Sequence, residues 1–223
     1  MRSTWRVLAG HRDLRLVLSA GLISRSGDWI LLVGLLYRVY AMTGSTVASA
    51  LTMLSAVVPQ VALGQVAGVF ADRWDRKRTM IVADLLMAIG LLPLLAVRSA
   101  GQVWIVFVVL LWEGAVQQFF SPAEQAIVPR LVPDDQLLVA NALNGQVSDL
   151  ARLTGSALGG IIAAIGAVAA VTVADAVSFV ASAILLLVIK TSGDTARLRA
   201  GARRITAVLS ELRDGFRLMA GPG

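Results

Sequence analysis

Apolar residues fill six long blocks of this chain, at about residues 14–40, 46–71, 79–97, 102–120, 137–165 and 168–189, with short polar or glycine-bearing connections between them. Each block is close to the roughly 20 residues, or more, that an α-helix needs to cross a bilayer core. None shows the period-two alternation of a barrel strand. A backbone in lipid has to satisfy its own hydrogen bonds, and for runs of this length only the helix does so. The pattern predicts an all-α membrane protein with six transmembrane helices, forming one bundle over residues 1–190. The connections near Gly44, Gly101 and Gly166 are short, so sequential helices are expected to be antiparallel neighbours.

Composition agrees. The chain is 57% hydrophobic and 15% charged, with a mean hydropathy of +0.76, too little polar surface for a soluble domain of 223 residues. It has no cysteine and one histidine, His11, so thiolate and histidine-cluster metal sites are excluded, and no metal or cofactor is expected. The first block is too long for a signal-peptide core and is expected to be retained.

The net charge of +6 raises the question of nucleic acid, but its distribution answers it. Arg2, Arg6, Arg12 and Arg15 precede the first block, Arg73, Arg76, Lys77 and Arg78 follow the second, Arg130 follows the fourth, and Lys190, Arg197, Arg199, Arg203, Arg204, Arg213 and Arg217 follow the sixth. All fall on one side of a membrane, while the other side has only Arg38 and Arg98. By the positive-inside rule both termini are expected to be cytoplasmic. Residues 191–223 form a linker in which Ile205, Val208, Leu209, Leu212, Phe216 and Met219 share one face of a helix over about 203–219. Two readings of it stay open: a helix lying on the inner leaflet, or a linker helix packed on protein.

Charges inside the blocks are expensive and mark function by default. Arg25 and Asp28 are three apart on the first helix and can pair; Asp149 and Arg152 repeat that spacing on the fifth. Either pair can be a neutralised couple that lets the helix insert, or a gate or substrate contact. Glu113, mid-block in the fourth helix with no basic neighbour within a turn, is a candidate proton carrier, with Asp28; the alternative is a neutral carboxyl bonded to Gln117 or a neighbouring helix. Asp175 is similar. Asp84 and Glu124 lie near block ends and are expected to join the charge network of the loop after the second block. In the fifth helix Ala151, Gly155, Gly159 and Gly160 offer a small-residue face for close helix contact.

That loop reads Gly68, then Asp72-Arg73-Trp74-Asp75-Arg76-Lys77-Arg78. Asp72 ends a helix, where an acid is poorly placed and needs a cationic or helix N-terminal partner. The basic residues hold the loop at the anionic inner surface. The spacing resembles the G-x-x-x-D-R/K-x-G-R-R/K loop of the major facilitator superfamily. Asp75 stands where the general pattern has glycine, which resembles the variant of the macrolide-type and siderophore exporter branch. Ser24 to Trp29, and Phe119 to Pro129 leading to Asn141, resemble the same branch. Gly155-Ser156-Ala157-Leu158-Gly159-Gly160 is similar to the family's antiporter motif, with Ser156 in place of proline.

The resemblance implies the N-terminal six-helix half of a twelve-helix transporter. It implies a multi-pass protein of the bacterial cytoplasmic membrane that exports amphiphilic small molecules by proton-coupled alternating access, a drug-resistance type of antiporter, with the loop as a cytoplasmic latch. Expected partners are lipids, a small-molecule substrate and protons, with a C-terminal six-helix half or a second copy completing the transporter. A chain that transports only in such an assembly, or a non-transporting membrane component, are the competing expectations. No nucleotide-binding motif is present, which argues against a primary pump, and no catalysis is implied.

Overall fold

A computed structural model describes residues 7–71 and 75–190, the side chains of 65–71 excepted. Asp72 and Arg73 of the loop, and the helix expected over 203–219, lie outside the described residues. Among the described residues the chain forms six long helices and no strand: α1 (Arg12–Thr43), α2 (Thr46–Ala71), α3 (Arg76–Gly90), α4 (Val103–Ile127), α5 (Leu137–Ile165) and α6 (Val168–Leu187).

Local chemistry sets the ends. Gly44 takes φ 63°, the left-handed conformation that a helix C-terminus favours, and its N–H closes on Tyr40 O at 2.8 Å. The Ser45 hydroxyl then accepts from Ala48 N and starts α2. Asp75 caps α3 by accepting from Arg78 N at 2.9 Å. The third apolar block is not one helix as expected. It turns into a 3₁₀ segment, Leu92–Ala96, where Pro93 removes a backbone donor and crowds the preceding turn. The fourth helix instead runs past its expected end, with Pro122 inside it. Helices in lipid tolerate proline because neighbours re-satisfy the freed backbone groups.

Packing divides the bundle. α1 lies against α5 and α6; α4 lies against α2 and α3; α3 also packs on α6. The close approaches occur at glycines. A Cβ on Gly155 would sit 2.5 Å from Ser26 O, and one on Gly159 would sit 2.7 Å from Ile30 O, so α5 meets α1 backbone to backbone. Ala151 is fully buried on the same face. Gly160 has nothing within 4 Å, which places it off that contact. Gly114 lets α4 close on Pro59 and Ala56 of α2.

Outside, the surface is greasy: Val61, Ile165 and Trp104 are exposed, while Leu14, Leu31, Met80, Met87 and Phe179 are fully buried. Among the described residues, five helical segments are long and apolar enough to cross a membrane. α5 has the length, 29 residues, but it carries Asn141, Asn144, Gln146, Asp149 and Arg152.

Candidate functional site

α1 and α4 barely touch, and the space between them is a cavity of about 520 Å³ closed on one flank by α2. Asp28 and Trp29 line it from α1, Gln60 from α2, and Glu113, Gln117 and Gln118 from α4. Behind it α6 packs on α1 and brings Asp175 to the same point. One carboxylate oxygen from each of Asp28, Glu113 and Asp175 lies within 4.8 Å of the other two. Gly27 makes this possible, because a side chain there would overlap the Asp175 carboxylate and the Ser178 hydroxyl.

Three carboxyls cannot all carry charge this close together in a low-dielectric bundle, so the group must share protons or a cation. Ser178 donates to Asp175 Oδ1 at 3.1 Å. Asp28 Oδ1, Glu113 Oε2, Asp175 Oδ2 and Gln117 Oε1 are buried with no hydrogen-bond partner. Glu113 therefore does not use Gln117 Oε1 as a partner, which was one of the two readings from sequence. One carboxylate oxygen from each of three helices is a donor set that can hold protons or a cation.

Arg25 does not pair with Asp28. Helical side chains lean toward the N-terminus, so Arg25 points back a turn and away from Asp28. Its guanidinium pairs with Glu124 of α4 and donates to Asn144 Oδ1 of α5 at 3.3 Å. Gly21 leaves the room: a Cβ there would sit 2.6 Å from Glu124 Oε1. Glu124 is thus buried in an interhelical ion pair with Arg25. Asp84 is likewise fully buried, with Ser182 of α6 beside it, and neither of its oxygens completes a hydrogen bond. Asp149 and Arg152 do pair, at 3.3 Å, but both are exposed on α5 and neither lines the cavity.

Of the loop, Gly68 falls within the bounds of α2, Asp75 caps α3, and the backbone of Arg78 receives that cap. Arg76 is the first residue of α3. Lys77 does what the sequence did not suggest. Its ammonium donates to the carbonyls of Leu187 at 3.0 Å and Ile189 at 2.6 Å, closing the C-terminus of α6. The sequence reading also passed over Ser178 and Ser182. The available signal was the Asp175, Ser178, Ser182 spacing, which is one face of a helix.

A bundle of long apolar helices, with carboxyls from three of them converging beside a cavity, is the architecture of a polytopic membrane protein with a polar site inside it. The chain belongs to the family described as transmembrane secretion effector, within the major facilitator superfamily; that family's model matches residues 3–220. It is 25% identical to the uncharacterized MFS-type transporter YfiS of Bacillus subtilis, over 94% of this chain and 49% of that protein. It is 26% identical to macrolide efflux protein A of Streptococcus pyogenes, over 72% of this chain and 40% of that protein. With the enterobactin exporter EntS of Shigella dysenteriae it shares 30% identity over 73% of this chain and 42% of that one. A crystal structure of a peptide transporter with bound sulfate superposes with a TM-score of 0.68 at 17% identity, covering 92% of this chain and 45% of the transporter, which shows the shared fold. The chain spans about half the length of the curated relatives it matches. These family members and structural neighbours are transporters, not enzymes.

Proposed function

We propose that this chain is the N-terminal half of a proton-coupled exporter of amphiphilic small molecules, working by alternating access in a bacterial cytoplasmic membrane with both termini inside the cell. The observation that carries this reading is the meeting of Asp28, Glu113 and Asp175 beside the cavity. A carboxyl cluster that takes up protons and borders a space large enough for a ligand can exchange one for the other. Glu113 and Asp28 face the cavity and would carry the coupling proton, with Asp175 sharing it. Trp29 would supply an apolar face to the substrate, and the glutamines would supply hydrogen bonds. Exporters among the relatives support the direction and the amphiphilic class. The loop from Gly68 through Asp72, Arg73 and Arg76 to Arg78 would serve as the cytoplasmic latch, with Lys77 anchoring it to α6.

The test is transport in liposomes. The protein, expressed both alone and together with a six-helix C-terminal half, is reconstituted, and macrolide movement driven by an imposed pH gradient is followed. Gradient-driven movement that is lost in Glu113→Gln, while substrate binding survives, is the expected result. Unchanged movement in that variant would remove the proton role from Glu113.

A second reading has its own observation. The chain matches only about half of each relative. Activity would then require a C-terminal half or a second copy, and cross-linking in the membrane would trap that pair. Full activity of an uncross-linked monomer would overturn it.

A further inference from the structure

Hydroxyls in these helices have a usual fate. Those of Thr52, Ser55, Ser148, Thr154 and Thr172 each donate to the carbonyl four residues back. Ser178 and Ser182 do not. Ser178 donates to Asp175, and Ser182 Oγ is fully buried with no partner. Together Asp175, Ser178 and Ser182 make one buried polar stripe along α6, a helix that is otherwise almost wholly apolar. At the end of the stripe, across the α3–α6 contact, stands Asp84, fully buried and with both oxygens unpartnered.

The stripe has a direction. Ser182 is seven residues from Asp175, about 10 Å along the helix axis at 1.5 Å per residue. It lies toward the end of α6 that Lys77 closes. Glu124 is eleven residues from Glu113, about 16 Å along α4 toward that same end. Asp84 is seven residues from Lys77 on α3, about 10 Å into the bundle from that end, and the acids that bear on it are Asp28 from α1, Glu124 from α4 and Asp175 from α6. Arg25, the cation that faces this region from α1, is held by Glu124.

We propose that Asp84, Ser182 and Ser178 form a buried path that passes protons between the three-carboxyl cluster and the Lys77 end of the bundle. This rests on reading the cluster as proton-carrying. In each passage the Asp84 carboxyl gives its proton to Ser182 Oγ as Ser182 gives its own to a water in the turn between the serines. That water gives one to Ser178, and Ser178 gives its own to Asp175. Each hydroxyl gains one proton and loses one, so only the two carboxyls change charge. Rotation of the hydroxyls resets the path, and Asp84 takes its next proton from water at the Lys77 end of the bundle.

The test reads the carbonyl stretch of protonated carboxyls by infrared spectroscopy after a rapid pH jump. The full chain is placed in liposomes selected, by an affinity tag at the N-terminus, to have the Lys77 end outward or inward. The band belonging to the cluster is the one that Glu113→Gln removes; if that variant removes none, the proton reading of the cluster is what fails. Given that band, Asp84→Asn should slow its response to a jump on the Lys77 side by about tenfold or more, leaving the response from the other side unchanged. An unchanged rate from the Lys77 side overturns the path, and equal slowing from both sides overturns it as well by marking general damage. Should Asp84→Asn fail to insert, Ser182→Ala decides in the same assay: one-sided slowing supports the path and an unchanged rate overturns it.

Discussion

The Lys77 ammonium sits 2.6 Å from the carbonyl oxygen of Ile189, joining a residue of the charged loop to the chain just past the C-terminus of the sixth helix. A cation at a helix C-terminus meets both the unpaired carbonyls and the negative end of the helix dipole. The loop and the exit of the bundle are thereby one mechanical unit. Lys77→Ala should cost about 1 kcal/mol or less of stability, since the site is partly open to solvent. It should also raise the protease sensitivity of the chain just after Ile189. Lys77→Arg should retain most of the effect. Thermal unfolding in detergent and limited proteolysis check both.

Arg25 and Glu124 should behave as a buried pair. Removing Arg25 alone leaves a carboxylate without its cation inside the bundle, and Arg25→Ala is expected to destabilise by about 3–5 kcal/mol. The double change Arg25→Met with Glu124→Leu should recover much of that loss. The melting temperatures of the single and double variants, compared as a cycle, give the answer; additive losses would show that the two groups are not coupled.

Asp149 and Arg152 form the contrasting case. Their pair is exposed on α5, and exposed pairs are worth roughly 0–1 kcal/mol. Asp149→Ala should shift the melting temperature far less than Arg25→Ala does, measured side by side.

The α1–α5 contact predicts a sharp positional difference between neighbouring glycines. Gly159→Ala pushes a methyl toward the Ile30 backbone, and overpacking of this kind costs about 1–3 kcal/mol. Gly160→Ala, in open space one residue on, should be neutral. Both are read from thermal unfolding, and equal effects would contradict the close contact.

Much of the fold was legible because lipid simplifies the problem. A backbone in hydrocarbon has one solution for long apolar runs, so helices could be read from block length alone. The misreadings are local. Pro93 ended a helix that hydropathy carried onward, whereas Pro122 did not end one, because the neighbours of a proline, and not the proline alone, decide whether the helix survives. The site was legible only in part: Asp28, Glu113 and Asp175 stood out as charges in apolar surroundings, Glu113 was read together with Asp28, and nothing in the sequence brought Asp175 to them.

The sequence by itself determined that this chain is a stack of membrane helices, and which few charged residues it keeps inside them, because hydropathy and the cost of a buried charge are properties of the residue and its neighbours along the chain. Tertiary structure alone decided who meets whom. Arg25 turned from Asp28, three residues away, to Glu124, ninety-nine residues away. Asp175 came to lie with Asp28 and Glu113 because Gly27 leaves it space. Such pairings depend on how helices rotate and how closely they approach, and those are set by steric fit between distant segments that no local pattern encodes.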